Sequence, residues 1–396
     1  MNSKKTSSLK LQRLSKRKPL SFVDPKTPTH VAVKKEIKEF SSRKKDHLLI
    51  TLSESSQNPR GHSLDQVRLN HRAFPELNWQ DISIKAKFLK TELSAPFFVS
   101  SMTAGSVHGR AINLLLAELS QEKRILMGVG SQRRELFDNE ARKEWKELRK
   151  QCPKALLLSN IGLSQLIKTP VIKIFELCES LESLALIIHV NPLQECIQKE
   201  GTPYFSGGLS ALKQLVKQSP IPVIVKEVGN GFSREDREQL AGTGIYALDL
   251  AGKGGTDWSR VEALRFDPLS YERNSGLLFT DWGYSLVDML FEMLQEKVPY
   301  QVWGSGGIRN GLDVAKVVAL GCELVGLAQP WLKSIFSHSP HEMKLKTRLD
   351  LETSRKSLRE FYEGLEKELK TAMFCTGSAN LAQLKKGKIK WEGPYV

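Results

Sequence analysis

The chain has 396 residues, 40% of them apolar, which suffices for a substantial core and excludes a wholly disordered polypeptide. Its 59 lysines and arginines exceed 44 aspartates and glutamates by 15, a balance that points to an anionic partner: nucleic acid, a membrane surface or a phosphorylated ligand. No run approaches the ~18 consecutive apolar residues of a membrane span and the start lacks the apolar block of a secretory signal, so a cytoplasmic protein is expected.

Residues 1–42 carry 11 basic and 3 acidic side chains, about half of the excess charge, with many Ser and Thr and no hydrophobic period. They read as a basic, disordered extension ahead of a single domain over 43–396. The five cysteines, Cys152, Cys178, Cys196, Cys322 and Cys375, are odd in number, widely spaced and without a CxxC pair, which argues against a disulfide framework or a zinc site.

DISIKAKFL (81–89) predicts a capping strand or hairpin. From residue 95 a short apolar strand, a polar or glycine-rich turn and a helical pattern recur. The predicted strands are 96–101, 124–130, 155–160, 184–190, 222–227, 245–251, 300–304 and 323–328, with helical patterns at 112–123, 209–218, 234–242 and 311–321. A charged amphipathic helix over 352–374 closes the chain. Eight near-continuously apolar strands alternating with helices predict an α/β fold, a (β/α)8 TIM barrel with an N-terminal extension; a doubly wound open sheet is the alternative.

A barrel demands that chemistry sit just after the strands. There the sequence places SSMTAG (100–105), GSQRR (130–134), SNIG (159–162), HVNPLQE (189–195), KEVGNG (226–231), AGKGGTDW (251–258), GSGGIRNG (304–311) and AQPWL (328–332). Any one of these is an ordinary cap or turn, but polar strand ends converging on one face define a site. Glycines let backbone N–H groups approach an anion, so Gly306, Gly307 and Arg309, with Ala328 and Gln329, suit a cofactor phosphate. Thr256 suits another phosphate or a ring, and Lys226, ending an apolar strand, calls for an anionic partner. Arg133 and the pair Arg43 and Lys44 suit a diphosphate, although the pair also reads as the end of the basic tail. His189 reads equally as a base, a hydrogen-bond donor or a satisfied core histidine. Glu195, with no second carboxylate nearby in sequence, could hold Mg2+ only with ligand phosphates and waters completing the shell.

Taken in order, RKKDH (43–47), NHRAFPEL (70–77), SSMTAG, GVGSQR (128–133), SNIG, HVNPLQE, VKEVG (225–229), AGKGGTDW, SGGIRNGLDVAKVVALG (305–321), AQPWL and CTGSANLAQL (375–384) resemble type 2 isopentenyl diphosphate isomerase over residues 43 to about 385. The resemblance implies a flavin-dependent (β/α)8 barrel, homotetrameric or homo-octameric, that interconverts isopentenyl and dimethylallyl diphosphate with FMN, Mg2+ and reduction by NADPH. It implies FMN contacts at Ser101, Met102, Thr103, Ser131, Asn160, Lys226 and Thr256, and FMN phosphate contacts at Gly306, Gly307, Arg309, Ala328 and Gln329. It further implies substrate binding by Arg43, Lys44, Ser131, Gln132, Arg133 and Gln194, a hydrocarbon end lined by His189, Asn191 and Gln194 as catalytic residues, and Mg2+ on Glu195. Departures from the family pattern are Ala104 in place of a usual glycine, Asp46 in place of a common glutamate, and the 42-residue extension.

Two other classes compete. An FMN barrel doing net redox would share the phosphate loops, but would want a His with an Arg pair or a nucleophilic Cys in a loop, and neither has a good candidate. A nucleic-acid binder would use the tail, whose only aromatics, Phe22 and Phe40, make base stacking a poor expectation.

Overall fold

A computed structural model of the chain describes residues 43–59, 61–102, 107–294, 296–337 and 349–391. The basic extension, Thr103 and Ala104 lie outside the described residues. Eight parallel strands close on themselves: β1 (Phe97–Val99), β2 (Leu126–Gly128), β3 (Leu156–Gly162), β4 (Ala185–His189), β5 (Val223–Lys226), β6 (Ala247–Asp249), β7 (Gln301–Ser305) and β8 (Leu324–Leu327), with β8 paired to β1 and β6 to β7. Each overlaps an expected apolar run. Closure removes the open-sheet alternative, because neither β1 nor β8 is left as an edge.

The apolar runs look continuous because both faces of each strand are buried, but the two faces pack against different things. Phe97, Val99, Met127, Leu157, Leu186, Ile188, Val225 and Val325 join the outer core beneath the helices. Phe98, Leu126, Leu158, Ile187, Ile224, Ala247, Trp303 and Leu324 point inward and form one interior cluster. Side chains alternate with period two, so the next inward positions are Ser100, Asn160, His189, Lys226, Asp249 and Ser305. Cα register aligns Gly162 with His189, His189 with Lys226 and Lys226 with Asp249, which sets these groups side by side above the apolar layer.

The other end of the barrel is plugged. Ala86–Phe88 pairs antiparallel with Thr91–Leu93, and Phe88 and Leu93 belong to the interior cluster. The Phe88 ring lies 5.8 Å from that of Trp303 and 5.5 Å from that of Tyr246, both in edge contacts.

The closing helix spans Leu351–Cys375, capped by Asp350, and buries Leu358, Tyr362, Leu365 and Leu369 against the barrel's outer helices. It comes so close to helix Gly311–Ala319 that a Cβ on Gly311 would collide with the Leu365 carbonyl. Two features were not legible beforehand. Val67–Leu69 pairs antiparallel with Ile389–Trp391, tying distant parts of the chain together. Residues 43–52 form a helix whose Leu48 and Leu52 are buried in the core, so Arg43 and Lys44 are folded parts of the domain and not the end of a tail. Among the described residues no helix is long and apolar enough to cross a membrane.

Trp303 is fully buried between the plug and the polar layer. Trp303→Ala should therefore cost about 3–5 kcal/mol, read as a lowered denaturant midpoint; a loss below about 1 kcal/mol would mean that the interior cluster does not anchor the barrel.

Candidate functional site

The polar layer is the floor of a two-part cavity at the carboxyl ends of the strands. The outer part has a volume of about 520 Å3 and is bounded by Ser101, Met102, Lys226, Gly229, Thr256, Ser305 to Arg309 and Gly326 to Gln329. The inner part, about 90 Å3, is bounded by Arg43, Lys44, Ser131, Arg133, Asn160, His189, Asn191, Gln194, Glu195 and Gln198. Lys44, His47, Ser101, Met102, Lys226, Val228 and Trp258 border both, so the two parts are contiguous.

The loop after β7 turns at Gly306 and Gly307, with φ of +104° and +76°. Side chains rarely adopt such angles, and a Cβ on Gly306 would strike the Gly252 carbonyl of the loop after β6. The two glycine loops thus interlock as a backbone-walled cradle. On its floor Ser305 Oγ donates to Asp249 Oδ1 at 2.6 Å, and Lys226 Nζ lies 3.6 Å from Asp249 Oδ2 while donating to the Glu227 carbonyl at 2.7 Å. Asp249, inside the sixth apolar run, is the anionic partner that Lys226 demanded. Glu227 shapes the adjoining loop: its Oε2 accepts from the N–H groups of Val228, Gly229 and Asn230 at 2.6, 2.7 and 2.5 Å. Burial pushes its carboxyl up to about 7 against those donors.

Around the inner part, charge is organised by one residue that the sequence did not single out. Glu262, on helix Trp258–Ala263, is completely buried. Its Oε1 accepts from Gln194 Nε2 at 2.8 Å and lies 2.9 Å from His47 Nε2; its Oε2 accepts from Arg265 Nη1 at 2.8 Å. Turned to satisfy both ends of its amide, Gln198 donates to Glu262 Oε1 and accepts from Arg43 Nη1, each at 3.1 Å. Burial alone would raise the Glu262 carboxyl; His47, Gln194 and Arg265 outweigh it and hold the group at about 2. No motif flagged Glu262, because only folding brings the loop after β6 against helix 43–52.

Three cations converge on the inner part. Lys44 is pushed down to about 7, by burial and then by the Arg43 charge, with Arg133 adding to the effect. Burial and Arg133 likewise lower Arg43. Among the described residues Arg133 has no ion-pair partner. Opposite them Glu195 Oε2 accepts from the Thr202 N–H at 2.6 Å and hydroxyl at 3.2 Å, and its Oε1 accepts from Asn191 Nδ2 at 3.2 Å. Asn191 Oδ1 is buried without a hydrogen-bond partner among the described residues.

Most of the expected residues meet here, in a different division of labour at some positions. Ser131 and Asn160 border the inner part and not the outer cradle. Gln132 borders neither: its Oε1 accepts the Asn160 N–H at 3.1 Å and its Nε2 donates to the Leu177 carbonyl at 3.3 Å, so its amide braces β3. Arg309 borders the cradle, but its guanidinium is held by Asp313 Oδ2 at 2.8 Å and Asp65 Oδ1 at 2.5 Å, which neutralises its charge. Gln329 donates to the Thr51 carbonyl at 2.8 Å.

A closed parallel barrel with a glycine cradle from the loops after β6 and β7 and a cation-lined inner pocket at the same end has the layout of a barrel enzyme with an anion-binding mouth. Solved structures of similar fold include flavocytochrome b2 with benzoylformate (TM-score 0.61, 16% identity, 98% of this chain and 91% of that one) and a mandelate oxidase with a monooxide FMN adduct (TM-score 0.52, 12%, 87% and 92%). The family model for FMN-dependent dehydrogenase matches residues 189–340. Among relatives, the isopentenyl-diphosphate delta-isomerase of Bdellovibrio bacteriovorus is 45% identical over 355 residues, 89% of this chain and 98% of its own length. Those of Legionella pneumophila and a Nostoc species are 41% and 39% identical, each over 88% of this chain and over 98% and 95% of their own lengths. The chain belongs to the isopentenyl-diphosphate delta-isomerase family.

Glu262→Gln should destabilise the fold by about 3 kcal/mol at pH 7, because Arg265 and the amides of Gln194 and Gln198 lose a buried anion. The native carboxyl titrates below its ordinary 4.5, so its stabilising effect is complete above that pH and is lost as pH falls toward 2. Urea midpoints at pH 7 and pH 4 should differ more in the parent than in the variant; equal differences would remove Glu262 from its role as charge hub.

Proposed function

We propose that the protein interconverts isopentenyl and dimethylallyl diphosphate by a 1,3-allylic proton shift, with FMN in the outer cradle, a Mg2+ ion in the inner pocket, and NADPH to reduce the flavin. The observation that carries this reading is the convergence of Arg43, Lys44 and Arg133 on a pocket that opens directly into the glycine cradle. A diphosphate there would meet guanidiniums that fork onto its oxygens and a lysine that adds a point charge.

The cradle suits FMN on several grounds. It has the volume for a ring system, a floor built from Ser100, Lys226 and Ser305, interlocked glycines that allow close approach of an anion, and the buried hydroxyls of Ser100 and Ser101, which lack partners among the described residues. Ser101, Met102, Lys226 and Thr256 would hold the ring, and Gly306, Gly307, Ala328 and Gln329 its phosphate end. When bound and reduced, the flavin supplies a group that can give and take a proton at an alkene without net redox change.

The inner pocket suits Mg2+ in the manner of an ion shared with a ligand. Glu195 offers one carboxylate and the orphaned Asn191 Oδ1 a second oxygen, and among the described residues no cluster of three acids or histidines would make a self-sufficient site. Arg43, Lys44 and Arg133 anchor the diphosphate. Gln194, held by Glu262, orients the end of the short hydrocarbon toward the cradle, so remote binding energy is spent on alignment.

Purified protein should be yellow and, incubated anaerobically with isopentenyl diphosphate, Mg2+ and NADPH, should form dimethylallyl diphosphate without stoichiometric loss of NADPH. Chelation of Mg2+ should stop turnover with flavin retained. Absence of product sinks the reading, and NADPH consumed mole for mole with product would favour a net redox enzyme. Arg133→Met should raise the KM for isopentenyl diphosphate roughly 10- to 100-fold, the loss of one charge-assisted contact, with FMN content unchanged; an unaltered KM would take Arg133 out of the anion site.

A further inference from the structure

Arg133 reaches the inner pocket from a short helix, Gln132–Leu136, that follows β2. This helix is of the 3-10 kind, with three residues per turn, so Gln132 and Glu135 share one face, and both are buried. The face meets helix Val171–Leu181 in two rungs. Gln132 Nε2 donates to the Leu177 carbonyl at 3.3 Å, and Glu135 Oε2 lies 3.3 Å from Ser180 Oγ. Gln132 Oε1 also takes the Asn160 N–H of β3. Arg133 lies between these two anchors in sequence, and its neighbour Arg134 is held elsewhere, by Asp138 at 2.7 Å and Glu144 at 3.3 Å.

A buried carboxylate needs donors or a cation, and Glu135 has few. Its Oε1 is buried without a hydrogen-bond partner among the described residues. Ser180 has one hydroxyl proton, and its closer acceptor is the Leu177 carbonyl at 2.9 Å, so toward Glu135 Oε2 it turns a lone pair. That contact is a hydrogen bond when Glu135 supplies the proton. From helix Asn139–Gln151 the charges of Arg142 and Glu144 reach the carboxyl with opposite signs, and Arg142 is turned to Glu176 at 3.4 Å. Helix Val171–Leu181 adds the Cys178 thiol, next in the chain to Glu179, and β3 adds no charge. Among the described residues Glu135 forms no ion pair. Burial pushes its carboxyl up to about 8, outweighing Gln132, Ser180 and Arg142.

We infer that Glu135 is a neutral acid donating to Ser180 and a positioning residue: it seats helix Gln132–Leu136 so that Arg133 meets an anion in the inner pocket, and its ionisation unseats Arg133. Glu135 itself touches no ligand. An anion in that seat, with Glu144 near and no cation paired to it, would draw the carboxyl toward water and loosen the second rung, leaving the helix held by Gln132 alone. The inference rests on the reading of the inner pocket as a diphosphate site; the protonation of Glu135 does not.

The test compares the full-length, flavin-loaded parent with Glu135→Gln, a neutral isostere, by calorimetric titration with inorganic pyrophosphate and Mg2+ at pH 7 and pH 9. Lys44, Glu227 and pyrophosphate itself also titrate, but equally in both proteins. Between the two pH values the parent should lose about tenfold more affinity than the variant, the misplacement of one charge-assisted contact; parallel profiles overturn the positioning role. In an Arg133→Met background the same comparison should show no difference, because the effect passes through Arg133, and a difference that persists overturns that route. Arg133→Met also separates the two readings. If it binds pyrophosphate as tightly as the parent at pH 7, the diphosphate site is misassigned and the inference falls with it; weakened binding with parallel profiles sinks the role of Glu135 alone. Protonation is read from urea midpoints. The carboxyl is raised above its ordinary 4.5, so its ionisation destabilises the fold progressively from about pH 4.5 to about pH 8. Glu135→Gln should therefore have the higher midpoint at pH 8 and a smaller advantage at pH 5, and a lower midpoint than the parent at pH 8 overturns the neutral acid. If Glu135→Gln does not fold, Glu135→Met makes the same removal of charge and is read the same way.

Discussion

Strand alternation inside a closed barrel is the constraint on which the molecule depends. Each strand turns every second side chain inward, and eight strands in register stack those side chains in layers. One layer is Phe98, Leu126, Leu158, Ile187, Ile224, Trp303 and Leu324, sealed from below by Phe88 and Leu93 of the plug. The next is Ser100, Asn160, His189, Lys226, Asp249 and Ser305, polar groups that would be expensive to bury one at a time. Set side by side, five of the six satisfy one another, through Lys226 with Asp249, Ser305 with Asp249, and His189 with Asn160, and Ser100 is the exception. The site begins where the apolar core ends, two residues further along the same strands.

Above that floor the electrostatics separate into two kinds. Glu262 is a structural anion: its oxygens are occupied by His47, Gln194 and Arg265, and it is ionised far below neutral pH. Arg43, Lys44 and Arg133 stand close together: the Arg133 charge lowers the proton affinity of Arg43, and both arginines lower that of Lys44, a repulsion that an anion in the inner pocket would relieve. His189, hydrogen-bonded to Asn160, is kept well below the usual imidazole range by burial and by the charges of Lys44 and Lys226. In the function proposed above, the charged anchor in the inner pocket would hold the ligand and the glycine cradle in the outer cavity the cofactor, a division that would suit a proton shift on a small hydrocarbon chain.

The strand ends were legible in the sequence because apolar runs stop abruptly at polar residues, and a barrel puts all such ends on one face. Lys226 stood out for the same reason, being a charge where burial was expected. Arg43 and Lys44 were ambiguous between tail and domain, since a basic run looks alike in both; helix 43–52, anchored by buried Leu48 and Leu52, makes them part of the domain and sets them on the border of the inner pocket. Asp249, Glu262, Glu227 and Gln198 were not legible. Asp249 hid within an apolar run, and the other three look like ordinary polar residues until their partners arrive. Gln132 and Arg309 lay in motifs that point to ligands, yet one braces β3 and the other is held between Asp65 and Asp313.

By itself the sequence determined the barrel, through the number and spacing of its apolar runs, and the kind of chemistry, through the residues that end them, because both are set by local patterning along one strand at a time. Only the tertiary structure decided which charges are paired, which cations meet at the inner pocket, and which side chain His189 faces. Those depend on distances between residues far apart in the chain, such as Glu262 to His47 and Asn160 to His189, and a Coulombic or hydrogen-bonding partner has no signature in the sequence until folding brings it within reach.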